Sequence, residues 1–336
     1  MERIILLLVI FMVTVLLSGC NSQDINGLSF IIEEETRKNE NQLIQPTDIE
    51  ELGYKPHYEV EILIDDGFSS SFNLLGERLE YLRPVDNTAS FDLILDIDSP
   101  VTKNFRLMIW NNNQFLPIHV NNEQKDSQTY YDIQMPSGNH SITLSNIINL
   151  DENFEFNEIA FILLDKDAPV DINLGYSPIR MYIANTDNLS QVEIDNKDTY
   201  KEDLSLLEDS DSNNGQGIPE LTILNHDKMM LNTSGITSQS RYLSIEQVNT
   251  DVIESIIFFN FDGEIYESFT TRHPVGKKAV VPIPKAIINN LGETDYYVLI
   301  NNNFGKSGIK QIKNIINGDS TAYTNFSYLY KIGSID

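Results

Sequence analysis

The chain has 336 residues, with 50 acidic against 23 basic side chains and a formal net charge of −27. Hydrophobic residues make up 41% and aromatics 10%, which excludes a chain disordered throughout, because that requires low hydrophobicity beside high charge. The acidity weighs against nucleic acid, whose phosphates are held by Lys and Arg, and against adsorption onto anionic lipid by charge. A single cysteine excludes an intramolecular disulfide and a cysteine cluster for zinc or iron–sulfur. Two domains are expected at this length, since one core rarely grows past about 250–300 residues.

Residues 1–20 read MERIILLLVIFMVTVLLSGC. Arg3 supplies a short basic start, offset by Glu2, and Ile4 to Leu17 is apolar apart from Thr14. That run is the length of a signal-peptide core and falls short of the ~20 residues of a spanning helix. It closes on Leu17-Ser18-Gly19-Cys20, and Cys20 is the chain's one cysteine. This stretch resembles the lipobox of bacterial lipoprotein signal peptides. The resemblance implies cleavage before Cys20, a diacylglyceryl group on its thiol with palmitate-type chains, and a mature protein on the extracytoplasmic face of the cell membrane. Acyl chains contribute about 0.8 kcal/mol per buried CH₂, so more than one chain makes such an anchor stable.

Residues 21–50 are polar, with Glu33-Glu34-Glu35, and read as a tether in which Ser29 to Leu43 forms a short helix. From residue 51 to 185 the pattern is of short strands. These are Val60 to Ile64, Phe91 to Ile97, a hairpin from Phe105 to Val120 around Asn111-Asn112-Asn113, Tyr130 to Met135, Ser141 to Leu144 and Ile159 to Leu164. Closely spaced strands with turn signals between them predict an antiparallel β-sandwich. Residues 186–219 hold nine acidic residues against two lysines and read as an acidic linker, with a short helix near Leu204 to Leu207. Strands resume from 220 to 336: Leu221 onward, Tyr242 to Ile245, Ile256 to Phe261, Ile265 to Thr270, Val280 to Ile283 and Tyr296 to Ile300. Asp262-Gly263 suits the turn between two of them. The predicted fold is therefore mainly β, with two antiparallel sandwiches of immunoglobulin-like or jelly-roll-like form joined by the linker. Almost no amphipathic helical pattern of 10–15 residues is found.

The halves share an order: a hydrophobic hairpin, a strand meeting a proline (Met135-Pro136; Ile283-Pro284), then an aromatic-aliphatic strand. A diverged duplication is one account of this, and the common grammar of sandwiches is the other. Charge is uneven. Residues 220–336 hold 12 acidic and 10 basic side chains, so the acidity belongs to residues 21–219.

The familiar hydrolase elbow, paired-histidine zinc motif, phosphate loop and dinucleotide fingerprint are missing from the sequence. The five histidines, His57, His119, His140, His226 and His273, are scattered. Asp209, Asp211, Asn213 and Glu220 occupy positions 1, 3, 5 and 12 of a calcium loop and are candidate metal ligands, with calcium as the ion. Asn214 stands where such a loop needs Gly, and Pro219 sits at position 11. Trp110, Tyr130 and Tyr131 are a candidate platform for a sugar or peptide, although a lone Trp on a sandwich strand more commonly fills a core. No catalytic residue is assigned. The expected function is that of a non-catalytic, lipid-anchored binding or structural protein of the bacterial envelope. Its partners would be the membrane, through the lipid, and an envelope protein or wall polymer; nucleic acid is not expected. The rivals are a solute-binding lipoprotein of a transporter, which needs repeated strand–helix units, and an envelope hydrolase, which needs carboxylates or a histidine–carboxylate pair gathered in a pocket.

Overall fold

A computed structural model describes residues 29–38, 57–111, 114–120, 128–149, 155–186, 189–193, 203–210, 219–246, 252–274, 276–292, 294–319 and 325–333. In chain order the first strands are β1 (Ser29–Lys38), β2 (His57–Ile64), β3 (Ser69–Leu74), β4 (Glu77–Leu82), β5 (Thr88–Ser99) and β6 (Lys103–Asn111). They are followed by β7 (Gln114–Phe115), β8 (Ile118–Val120), β9 (Tyr131–Met135), β10 (Gly138–Asn149), β11 (Phe156–Asp165) and β12 (Ile179–Ala184). The remainder is β13 (Leu207–Asp209), β14 (Glu220–Leu224), β15 (Tyr242–Glu246), β16 (Val252–Asn260), β17 (Ile265–His273), β18 (Lys277–Pro282), helix α1 (Lys285–Asn289), β19 (Tyr296–Asn302), helix α2 (Lys306–Ile316) and β20 (Ser327–Lys331).

The strands form four sheets. Sheet A has the order β2-β5-β10-β1-β8, and sheet B has β3-β4-β12-β11-β6-β7 with β9 also on β6. Sheet C is β17-β16-β19-β20, and sheet D is β13-β18-β15-β14. Pairing is antiparallel except for β1 with β8 and β12 with β4. The expected mainly β architecture of two sandwiches is what forms: A packs on B, and C packs on D.

Strand periodicity explains how the sandwiches stack. Successive side chains of a strand point to opposite faces. On β6, Phe105, Leu107 and Ile109 enter the A–B core with Ile159 and Phe161 of β11, against Phe91, Leu93 and Leu95 of β5. The alternate residues, Met108 and Trp110 with Ala160, Ile162 and Leu164, form a second apolar layer with Ile257, Phe259, Tyr297 and Leu299 of sheet C. Residues Ile256, Phe258, Val298 and Ile300 of sheet C face sheet D, where Ile223, Leu243, Ile245 and Val281 meet them. The order of layers is thus A, B, C, D, and the inner sheets are covered on both faces. That is why their sequences run as continuous apolar stretches, such as Tyr296 to Ile300 within the fully buried strand Tyr296–Asn302.

Several local expectations are corrected. Ser29–Lys38 is a strand, not a helix, because ten consecutive residues pair with Asn149 to His140 of β10. The Phe105–Val120 hairpin is split: Phe115 pairs with Trp110 in sheet B, whereas β8 crosses to sheet A beside β1. Its supposed counterpart, β16–β17, stays within one sheet. Within 186–219, Leu207–Asp209 is an edge strand of sheet D, paired with β18.

Helix α2 is the amphipathic pattern missed in the sequence. Ile309, Ile312 and Ile315 pack on Tyr81, Tyr182, Leu189 and Val192, so a helix from the second half covers part of the first. The β11–β12 connection makes the reverse crossing. Ile172 joins the C–D core, and Tyr176 pairs with Leu329 beside β20. Gly175 permits this approach, since a Cβ there would lie 2.4 Å from the Tyr330 ring.

Candidate functional site

The richest concentration of buried polar chemistry among the described residues lies along the B–C seam. Arg180 of β12 donates Nε to Glu158 of β11 at 2.7 Å. Its Nη1 reaches the carbonyls of Asn302 (2.7 Å) and Phe326 (3.0 Å), and its Nη2 that of Asn303 (3.1 Å). The Gly305 N–H donates to the other Glu158 oxygen. Glu158 is wholly buried. Burial pushes its carboxyl above the usual range, opposed by the charge and hydrogen bond of Arg180 and by the Gly305 amide. A buried ion pair is tolerable only when its remaining donors and acceptors are used, and here carbonyls of the second sandwich use them.

Arg106 of β6 closes the opposite end. It grips Asp132 through Nε (2.7 Å) and Nη2 (3.0 Å), and its Nη1 spans the seam to Asp262 (2.7 Å) and the Phe261 carbonyl (3.1 Å). The guanidinium lies 3.5 Å from the Tyr130 ring centroid and 4.2 Å from that of Phe261. Burial lowers the pKa of Arg106, but the hydrogen bonds and charges of Asp132 and Asp262 outweigh it and the net direction is upward. Lys331 adds a third tie: its Nζ donates to the Lys166 and Ala168 carbonyls, each at 3.0 Å, and pairs with Asp295 at 3.0 Å.

Two features lie within the sandwiches. Glu254 and His273 are buried between sheets C and D, with Oε2 and Nδ1 3.5 Å apart. His273 also bonds the Lys277 carbonyl. Burial lowers the His273 pKa, and Glu254 with the Lys277 carbonyl more than reverses this. On the outer edge of β14 a groove of about 230 Å³ is lined by Asn173, Thr222, Asn232, Thr233 and Ser234 with Ile172 and Met230. Its hydrogen-bonding groups are uncharged, and Met229 and Met230 beside it are 59% and 70% exposed. Such a lining suits a small neutral ligand better than an ion.

The residues singled out by sequence fall as follows. Cys20, Asp211 and Asn213 lie outside the described residues. Asp209 and Glu220 belong to β13 and β14, the two outer strands of sheet D, about 14 Å apart at three strand spacings. Asp209 is engaged by Lys277 at 2.5 Å, whose hydrogen bond and charge hold its carboxyl below the usual range. No group of three His, Cys, Asp or Glu side chains that could hold a metal occurs among the described residues. Trp110 is 1% exposed and packs edge-on to Phe115 inside the seam, so it presents no ring to a surface ligand. Tyr130 lies under Arg106 on the same side, whereas Tyr131 packs on the A–B core. The three rings therefore form no shared platform. Sequence reading passed over Arg106, Glu158 and Arg180, because a single charge within an apolar strand has no local signature of its partner.

No helix among the described residues is long and apolar enough to cross a membrane. No protein-family model matches the chain, and no curated protein matches it. Among solved structures, an FMN-binding beta-glucuronidase from Facaelibacterium prausnitzii L2-6 is 10% identical over 82% of this chain and 39% of that one, with a TM-score of 0.21. The chain thus spans well under half of that enzyme. A two-domain protein of unknown function from Bacteroides fragilis is 11% identical over 72% and 89% of the two chains, at a TM-score of 0.18. A Mobiluncus mulieris adhesin is 9% identical over 84% and 95%, at 0.20. Similarity at this level carries no functional argument.

Proposed function

We propose that this chain is a lipid-anchored, extracytoplasmic binding or structural protein of the bacterial cell envelope, without catalytic activity. The observation that carries the reading is the chain's sole cysteine, Cys20, placed after Leu17-Ser18-Gly19 at the end of an apolar run. The four-layer body supports it. The buried Arg180–Glu158 pair and Arg106 are spent on joining the two sandwiches, an arrangement suited to a stiff module presented from a surface. Its open groove has uncharged lining, suited to binding. Envelope protein or wall polymer is the class of partner that such a location offers.

Two measurements test this. Mass analysis of the N-terminal peptide from membranes should show Cys20 as a lipidated first residue, and Cys20→Ser should give a lipid-free chain that keeps residues 1–19. A parent protein whose first residue is not Cys20, or whose Cys20 carries no lipid, would overturn the anchor. Thermal melts with calcium, chelator and wall fragments then test binding, since a ligand at a hundredfold excess over Kd raises stability by about 2.7 kcal/mol.

A further inference from the structure

We infer that the groove beside β14 takes an extended, uncharged peptide that pairs with the strand through its main chain. The inference rests on the binding reading above and deepens it by naming the site and the chemistry of the partner. β14 ends sheet D and has a strand on one side only, β15. Register settles which of its backbone groups face outward. The Ile283 N–H donates to the Arg241 carbonyl at 2.9 Å, so Arg241, and by alternation Leu243 and Ile245, turn their backbone groups toward β18. Tyr242, Ser244 and Glu246 therefore bond to β14, where they stand opposite Leu224, Thr222 and Glu220. Leu221 and Ile223 lie between these and point their N–H and C=O groups away from the sheet. The Ile223 carbonyl confirms it by accepting from the Leu231 N–H of the following loop at 2.8 Å.

The chain itself begins an added strand on this edge and abandons it. The Asn225 N–H donates to the Met229 carbonyl at 2.9 Å, and Met230 bridges Leu224. The ladder then stops. The Leu231 carbonyl, which would take the Ile223 N–H, accepts from the Thr233 N–H at 2.9 Å instead, and the Ser234 carbonyl docks on the Ile172 N–H. Among the described residues no backbone group bonds to the Ile223 N–H or to the outward N–H and C=O of Leu221. These groups border the groove of about 230 Å³. They lie about 7 Å apart, the repeat at which a strand presents its carbonyls and N–H groups to one neighbour. The side chains of Thr222, Asn232 and Ser234 add hydrogen-bonding groups, and no lining residue is charged. A charged side chain entering here would lose hydration without gaining a counter-charge. Met230 offers an adaptable apolar contact. The lining has no aromatic ring on which a sugar could stack, which favours a peptide over a glycan.

The test uses the full chain in detergent. The probe is acetyl-Thr-Val-Thr-Val-Thr-amide, and its control is the same peptide methylated on the three central amide nitrogens. The probe should slow amide exchange at Leu221 and Ile223. Methylation should weaken binding by about tenfold or more, because main-chain hydrogen bonds to β14 are then left unmade. Asn232→Trp, at an exposed position that lines the groove, should abolish binding while amide exchange elsewhere in sheet D matches the parent. Equal binding of the two peptides, full binding to Asn232→Trp, or no protection of Leu221 at probe concentrations up to about 1 mM would overturn the inference. A tetramer of N-acetylglucosamine that protects Leu221 where the peptide does not would overturn it in favour of a sugar. These readouts are independent of lipid at Cys20. Protection of Leu221 in a chain without lipid would overturn the anchor alone, and a lipidated chain that fails with the probe would overturn the peptide groove alone.

Discussion

Replacing Arg180 by Met should unlock the seam. The change keeps most of the side chain's apolar stem, but strips Glu158 of its counter-charge while leaving it fully buried. It also frees three backbone carbonyls, of Asn302, Asn303 and Phe326, from their donor. Breaking a buried pair on one side costs about 3–5 kcal/mol, because an uncompensated charge remains. The chain carries its own reporter: Trp110 is the only tryptophan and sits in the same apolar layer. With a urea m-value of about 3 kcal/mol per molar, that cost lowers the midpoint of the Trp110 fluorescence transition by about 1–2 M. The double variant Arg180→Met/Glu158→Gln removes the stranded charge as well and should recover part of the loss, so that the two changes are not additive. A single-variant midpoint within about 0.3 M of the parent, or a double variant worse than the sum of the singles, would refute the argument that this pair joins the sandwiches.

Other expectations follow from the same geometry. Phe259→Ala empties the centre of the B–C layer, where Phe259 stacks on Tyr297 and meets Phe115; a loss of about 3–5 kcal/mol is expected by denaturation, and a loss below about 1 kcal/mol would show that the layer is not packed as described. Gly308→Ala pits a helix-propensity gain of about 1 kcal/mol against a Cβ that would sit 2.5 Å from the Asn303 carbonyl oxygen. The clash should win, lowering the melting temperature, and a rise would contradict the tight seating of α2. His273 has a folded pKa above its ordinary 6.5, so its contribution is fully present below that value and is lost as pH rises through the higher folded one. Stability should therefore fall with pH across that window, and His273→Gln should flatten this part of the profile. An unchanged slope would place the titration elsewhere.

The strands needed only the sequence. A strand buried on one face alternates apolar and polar residues, and one buried on both runs as a short apolar stretch rich in β-branched and aromatic side chains. Thus Phe91–Ile97, Ile256–Phe259 and Tyr296–Ile300 are visible as strands without coordinates. What lay beyond local reading was sidedness and partnership. The continuous apolar runs of β16 and β19 say that both faces are buried, but not that one face meets a sheet of the other sandwich. Arg106 finds Asp262 156 residues further on, and Arg180 finds the Asn302 carbonyl 122 residues on. The residues of Ser29–Lys38, with three consecutive glutamates, read as tether or helix until pairing with β10 and β8 makes them a central strand. In α2 the repeat of Ile309, Ile312 and Ile315 was legible, but Gly305 and Gly308 masked it, and Gly308 is there because the helix presses against the Asn303 backbone. Local sequence records what each segment can form; which surface covers its second face is decided only when segments far apart in the chain compete to bury the same apolar area.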